Sequence, residues 1–281
     1  MLARPVSAPT PPRHDRLQPL AQWAPGPLAG VLTDIDDTLT RDGLIESAAR
    51  AALQALHRAG VPVIAITGRP AGWSEAFARS WPLLSIVAEN GSLRLFSIDS
   101  VLHKKYVQPE TERHANHRHL QAVLQAIEQQ VPGAVRARDS AGRETDIAID
   151  HSEFTHLAPQ RIAQVVQLMR AAGLNATVSS IHINGWVGGH NKWTGAQWAV
   201  KELLGRDLAH ERERWVYVGD STNDQVMFQH LPLSVGVANI RRFASQLTHL
   251  PRYITEAERG TGFAEVAAQV LRGRGVPVAE R

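Results

Sequence analysis

A chain of 281 residues, 43% of them hydrophobic, is long enough to bury one large core or two moderate ones. It contains no cysteine, which excludes disulfides and thiolate metal sites and leaves only oxygen or imidazole ligands for any metal. The net charge of +3 comes from arginines scattered among acids, as at Arg136/Arg138 and Arg241/Arg242, which is no footprint for nucleic acid; the absence of a continuous apolar span or hydrophobic leader sets the expectation of a cytoplasmic protein without a membrane partner.

Prolines at 5, 9, 11, 12, 19, 25 and 27 mark residues 1–28 as a disordered or loosely packed tail. From Gly30 onward, uninterrupted apolar runs alternate with helical patterns. The runs are 31–33, 61–66 and 84–88; the helices are expected near 45–59 and 72–79. Such a rhythm belongs to a parallel sheet covered on both faces. It then changes: 92–98 and 145–150 alternate apolar with polar, as half-exposed antiparallel strands do, around helices at 110–130 and 159–172 and a strand at 176–183. After Gly188-Gly189 the first rhythm returns, with a helix at 192–204, the run 214–219, a helix at 223–230 and the run 233–238. The expected fold is α/β: a doubly wound, mainly parallel, Rossmann-like core at 29–90 and 190–275, interrupted by an inserted α+β cap at 91–189.

Ligands of a parallel sheet collect at the carboxyl ends of its strands. Asp34 and Asp36 follow the first strand, Thr67 and Gly68 the second, and Asp220 a later one, while Lys192 opens the helix after the insert. Crowded carboxylates repel one another unless a cation stands among them, and oxygen-only ligands suit Mg²⁺. The ammonium and the free amides beside Gly68 call for an anion, and a phosphoryl group bridging to the metal satisfies both.

Asp34-Ile-Asp-Asp-Thr38, Thr67-Gly-Arg, Lys192 and Gly219-Asp-Ser-Thr-Asn-Asp224, in that order, resemble the four motifs of the haloacid dehalogenase superfamily. Ala88-Glu-Asn-Gly91 and the place of the insert are similar to its Cof-type, sugar-phosphatase-like branch, which includes sucrose-phosphate, trehalose-phosphate and mannosyl-3-phosphoglycerate phosphatases and the phosphomannomutases. The resemblance covers roughly residues 29 to 270 and implies a role for each motif residue. Asp34 is then the nucleophile and Asp36 the general acid and base. Asp34, the Asp36 backbone carbonyl and Asp220 bind Mg²⁺, with Asp224 a further ligand or an orienter. Thr67, the Gly68 amide and Lys192 hold the phosphoryl oxygens, and Asn223 orients Asp220 or Lys192 within that phosphate-binding set. The family's lysine is commonly followed by glycine, whereas here the sequence reads Lys192-Trp193-Thr194-Gly195.

Other residues keep two readings. Asp37 reads as a turn or cap. Arg69 reaches a substrate anion or only a neighbouring carboxylate. Asn90, His182, Asn184 and His190 lie where the insert meets the core and are candidate substrate contacts, against ordinary alternation with Trp186 packed at the junction. Thr145, Asp146, Asp150 and His151 raise the same question. His114, His117 and His119 do not share a helical face and read as solvated. The expected function is a Mg²⁺-dependent phosphatase of a small phosphorylated metabolite, a sugar phosphate or phosphorylated glycoside. A phosphomutase uses the same aspartates, and a receiver-type phospho-aspartate switch is the rival from outside enzymes.

Overall fold

The structure, a computed structural model, describes residues 17–277. Its elements in chain order begin with β1 (Gln18–Pro19), β2 (Gly30–Thr33), the hairpin β3 (Thr40–Arg41) and β4 (Leu44–Ile45), α1 (Ser47–Arg58), β5 (Val63–Ile66), α2 (Ala71–Ser80) and β6 (Ser85–Ala88). Then come β7 (Leu93–Ile98), β8 (Val101–Tyr106), α3 (Glu110–Gln130), β9 (Val135–Arg136), β10 (Asp146–Asp150), α4 (Pro159–Ala171), β11 (Asn175–Val178) and β12 (His182–Trp186). The chain continues through α5 (Lys192–Leu204), β13 (Trp215–Gly219), α6 (Gln225–His230), β14 (Ser234–Gly236), β15 (Tyr253–Ile254) and α7 (Arg259–Gly273).

Nine strands form one sheet in the order β1-β15-β14-β13-β2-β5-β6-β7-β8. All neighbours from β1 to β6 run parallel, and β7 and β8 close the edge antiparallel. Successive residues of the central strands serve opposite faces: Val31, Val63, Ala65, Val216 and Val218 pack under α1 and α7, while Leu32, Ile64, Ile66, Trp215 and Tyr217 pack under α5 and α6. Burial on both faces is why these segments read as continuous apolar runs. The connection order reverses about β2, which lies between β5, the next strand of this sheet, and the much later β13. That reversal places a crevice at the carboxyl end of β2.

A second sheet, ordered β11-β12-β10-β9 and antiparallel throughout, is backed by α3 and α4. Ile147, Ile149 and Ile183 pack beneath Leu124, Ile127, Val165 and Met169 on the helix side. The alternate residues Asp146, Asp150, His182, Asn184 and Trp186 are also buried, because this sheet lies against the large one. Two contacts are backbone on backbone, Gly72 with Gly142 across this junction and Gly91 with Gly195 between the β6–β7 turn and α5. A Cβ on Gly72 would stand 2.9 Å from the Gly142 Cα, and a Cβ on Gly195 would stand 2.6 Å from the Gly91 Cα, so neither position has room for a side chain.

Three expectations are corrected. Residues 17–28 are not a loose tail: β1 pairs with β15, and Leu20, Trp23 and Leu28 are buried in the core, Trp23 stacking on Tyr253. The prolines hid this because the apolar residues are spaced irregularly around them; residues 1–16 lie outside the described chain. The alternating segment 92–98 does not start a separate sheet, since with β8 it extends the edge of the large one. The single strand expected at 176–183 is two, β11 and β12, joined by a turn in which the Ser179 hydroxyl accepts from Ile181 N and His182 N. Among the described residues no helix is long and apolar enough to cross a membrane.

Candidate active site

Four segments meet at the rim beyond β2. Asp34, Asp220 and Asp224 are all buried, and each offers a carboxylate oxygen within 4.8 Å of the others. Lys192 comes from the first turn of α5, where Asn191 and Thr194 form a reciprocal cap: Asn191 Oδ1 accepts from Thr194 N at 3.0 Å and Asn191 N donates to Thr194 Oγ1 at 2.9 Å. The glycine that the resemblance places directly after the lysine stands here three residues on, as Gly195 against Gly91. Lys192 Nζ donates to Asp34 Oδ1 and Asp224 Oδ1, both at 2.7 Å.

Asp224 is fully engaged. Its Oδ1 also accepts from the Tyr217 hydroxyl at 2.5 Å, and its Oδ2 accepts from Asp220 N at 2.8 Å and Ser221 N at 3.0 Å. Each Asp224 oxygen thus accepts from two donors, which tie it to Lys192, Tyr217 and the Asp220 turn. Gly219 makes room for this, since a Cβ there would fall 2.5 Å from Asp224 Oδ2. Asp34 Oδ2, in contrast, accepts from no described residue, and Asp220 receives only the neutral donors Thr38 Oγ1 at 3.3 Å and Asn239 Nδ2 at 3.1 Å.

The electrostatics follow from burial. Desolvation pushes the Asp34 carboxyl up, Lys192 opposes it, and Asp224 and Asp36 add repulsion, leaving the group at about 8. Desolvation and then the charges of Asp224, Asp34 and Asp37 raise Asp220 well above the usual carboxylate range. One ammonium thus serves more buried carboxylate than it can neutralise. An all-oxygen set that lacks positive charge fits a hard divalent cation such as Mg²⁺, held by Asp34 and Asp220.

Beside the carboxylates, the Thr67 hydroxyl accepts from Arg69 N at 3.0 Å and retains its proton for another acceptor, while Gly68 N–H bonds to no described residue. The second sheet grips this turn: Arg143 Nη1 and Asn184 Nδ2 both donate to the Gly68 carbonyl, at 3.0 and 3.2 Å. Arg69 resolves its two readings toward carboxylates. It binds Asp36 and reaches across to Glu153 at 2.7 Å and Asp139 at 3.2 Å. Burial pushes the Glu153 carboxyl up, but hydrogen bonds from His182 and Arg69 outweigh it and draw the group down to about 2. Asp34, Asp36, Thr67, Gly68, Arg69, His182, Asn184 and Asn223 line one cavity of about 10 Å³, the least that holds a water molecule. A wider chamber of about 290 Å³ adjoins it at Asp36 and Arg69, bounded by Asp37, Glu153, Phe154, Ile181, Arg242 and Arg259.

Two expected substrate contacts lie elsewhere. His190 lines a different hollow with Gln108 and Trp198 and stacks on Trp186, because the chain turns away at Gly188-Gly189 before α5 begins. Asn90 sits behind the Gly68 turn, donating from its backbone to Thr67 O and from its side chain to Asp146. The Asp36 carboxylate is turned to Arg69 and stands apart from the aspartate trio. Asn223 lines the cavity, but its Oδ1 is bonded to the Ser221 hydroxyl and orients neither Asp220 nor Lys192. Sequence reasoning missed Tyr217, Asn239, Glu153 and Arg143. Tyr217 alone left a signal, as a hydroxyl within an apolar run.

A family model described as haloacid dehalogenase-like hydrolase matches residues 31–130. No curated protein matches the sequence. Among solved structures, protein 0175 of Thermoplasma acidophilum is similar at 18% identity and a TM-score of 0.66, over 87% of this chain and 98% of that one. The sucrose-phosphatase of Synechocystis sp. PCC6803, solved with sucrose and phosphate, aligns at 17% identity and a TM-score of 0.62, over 87% and 98%. A sugar phosphatase of haloacid dehalogenase subclass IIB aligns at 15% identity and a TM-score of 0.57, over 88% and 99%. Residues 31–130 are thus similar to the haloacid dehalogenase-like hydrolases, and the described fold is similar to that of a subclass IIB sugar phosphatase.

Proposed function

We propose that the chain is a Mg²⁺-dependent phosphatase of a small sugar phosphate or phosphorylated glycoside, working through an aspartyl phosphate on Asp34. The observation that carries this reading is the convergence of Asp34, Asp220 and Lys192 at one buried rim, with Asp224 bracing the last two. Mg²⁺ bound by Asp34 and Asp220 supplies the charge that steadies the phosphoryl oxygens.

Lys192 holds Asp34 by Oδ1, so the carboxylate meets phosphorus in a fixed orientation. Asp34 attacks, the phosphorus–oxygen bond to the leaving group breaks, and Asp36 gives its proton to the departing alkoxide. Asp36 then takes a proton from the water that cleaves the acyl phosphate, which restores Asp34 and releases inorganic phosphate. The Thr67 hydroxyl and the Gly68 amide donate to the phosphoryl group throughout. A phosphoryl group exceeds the 10 Å³ cavity, so the closed arrangement must part, and the Arg69 contacts to Asp139 and Glu153 are the ones that bar the way to the wider chamber. In this reading the second sheet and its helices, from α3 to β12, act as the cap, excluding water and selecting the leaving group.

The test is phosphate release with Mg²⁺ over a panel of sugar phosphates, phosphoglycerate glycosides and nucleotides, with isomerised ester measured beside free phosphate. Release from sugar esters supports the reading; isomerisation without release would make the enzyme a phosphomutase.

A further inference from the structure

Asn239 follows β14 in a short turn and is 2% exposed. Its Nδ2 donates to the Asp37 carbonyl at 3.0 Å and to Asp220 Oδ2 at 3.1 Å, and its Oδ1 accepts from Arg259 N at 3.0 Å. The three partners fix which way the amide faces: turned over, its oxygen would meet a carbonyl and a carboxylate, and its NH₂ group would meet an N–H.

The socket around it is built from unfavourable backbone. Asp37 and Arg259, which supply two of the three partners, both have left-handed conformations, with φ of 54° and 53°. Such conformations are unfavourable for residues without a glycine's freedom. Arg259 Nε closes the socket on the outside by donating to Asp37 Oδ1 at 2.7 Å. Three segments distant in sequence are thus brought together on one amide, whose only carboxylate partner among the described residues is Asp220.

We propose that Asn239 is a positioning residue for the divalent-cation site, fixing the plane of the Asp220 carboxylate relative to Asp34. The inference rests on the reading of Asp34 and Asp220 as cation ligands. Thr38 approaches Asp220 at the longer distance of 3.3 Å, so Asn239 carries most of the orientation. Partners that orient a ligand in this way are typically worth about 10- to 100-fold in metal affinity.

The test is calorimetric titration of Mg²⁺ into the full-length wild-type chain and the Asn239→Ala, Asn239→Ser and Arg259→Ala variants, with melting curves recorded without metal. Serine keeps a polar group in the socket but is too short to span to Asp220, so it serves if alanine prevents folding. Mg²⁺ affinity about 10- to 100-fold weaker in the Asn239 variants, and within about twofold of wild type in Arg259→Ala, is the expected result. Unchanged affinity in the Asn239 variants overturns the proposal, and equal weakening in Arg259→Ala does so too by making the effect one of the whole loop. Failure of the wild-type chain to take up Mg²⁺ overturns instead the reading on which the proposal stands.

Discussion

Arg69 holds Asp36 with a fork: Nε donates to both carboxylate oxygens at 3.0 Å, and Nη2 donates to Oδ1 at 2.9 Å. The same guanidinium binds Asp139 and Glu153 in loops beside the second sheet, so one side chain ties the acid/base candidate to the wall above it. Replacing it with alanine leaves Asp36 without its cation in a mostly buried place, while Asp139 keeps Arg143 and Glu153 keeps His182. Arg69→Ala is expected to lower unfolding stability by about 3–5 kcal/mol in urea titrations. Arg69→Lys should recover only part of this, because an ammonium cannot reproduce the fork.

Asp34 and Asp36 are expected to fail differently. Asp34→Asn removes the nucleophile and should abolish phosphate release under Mg²⁺. Asp36→Asn leaves the Asp34 and Asp220 carboxylates in place; kcat should fall about 10²- to 10⁴-fold while calorimetric Mg²⁺ binding stays close to wild type. Near wild-type release from Asp34→Asn would end the covalent mechanism.

Metal binding should register in stability as well as activity. Buried, repelling carboxylates gain a counter-charge when the cation binds, so Mg²⁺ at a hundred times its Kd should add about 2.7 kcal/mol and raise the melting temperature. Chelation should reverse the gain, and Asp220→Ala should not show it.

His190 predicts a pH dependence. Burial lowers its imidazole from 6.5 to about 4, and its Nε2 has no partner among the described residues. The folded chain therefore resists a proton that the unfolded chain accepts. The contribution is full above pH 6.5 and is lost as pH falls from there to about 4, by an amount on the order of 3 kcal/mol. His190→Phe should flatten that part of the stability profile without reducing stability at pH 5.

Much of the rim was legible because apolar runs locate the strands of a parallel sheet, and the residue after each run must then stand at its carboxyl end. Asp34, Thr67 and Asp220 follow from that rule alone. Arg69 could not be decided in the same way, since its partners Asp139 and Glu153 lie 70 and 84 positions away in loops beside the second sheet. Asn239 was invisible for a like reason: an asparagine after a strand is an ordinary turn former until Asp37, Asp220 and Arg259 arrive around it. The alternation at 92–98 was real, but half-exposed antiparallel strands also finish the edge of a parallel sheet, and periodicity does not separate the two cases.

The glycine contact between the two sheet units bears on how such an enzyme can be rebuilt. Gly72 at the start of α2 meets Gly142 ahead of β10, with backbone touching backbone. A module transplanted from a distant relative must therefore match this junction in its backbone as well as in the side chains that cross it. It must bring a loop of the right length with a glycine at its point of contact, because a methyl group on Gly142 would stand 3.2 Å from the Gly72 Cα.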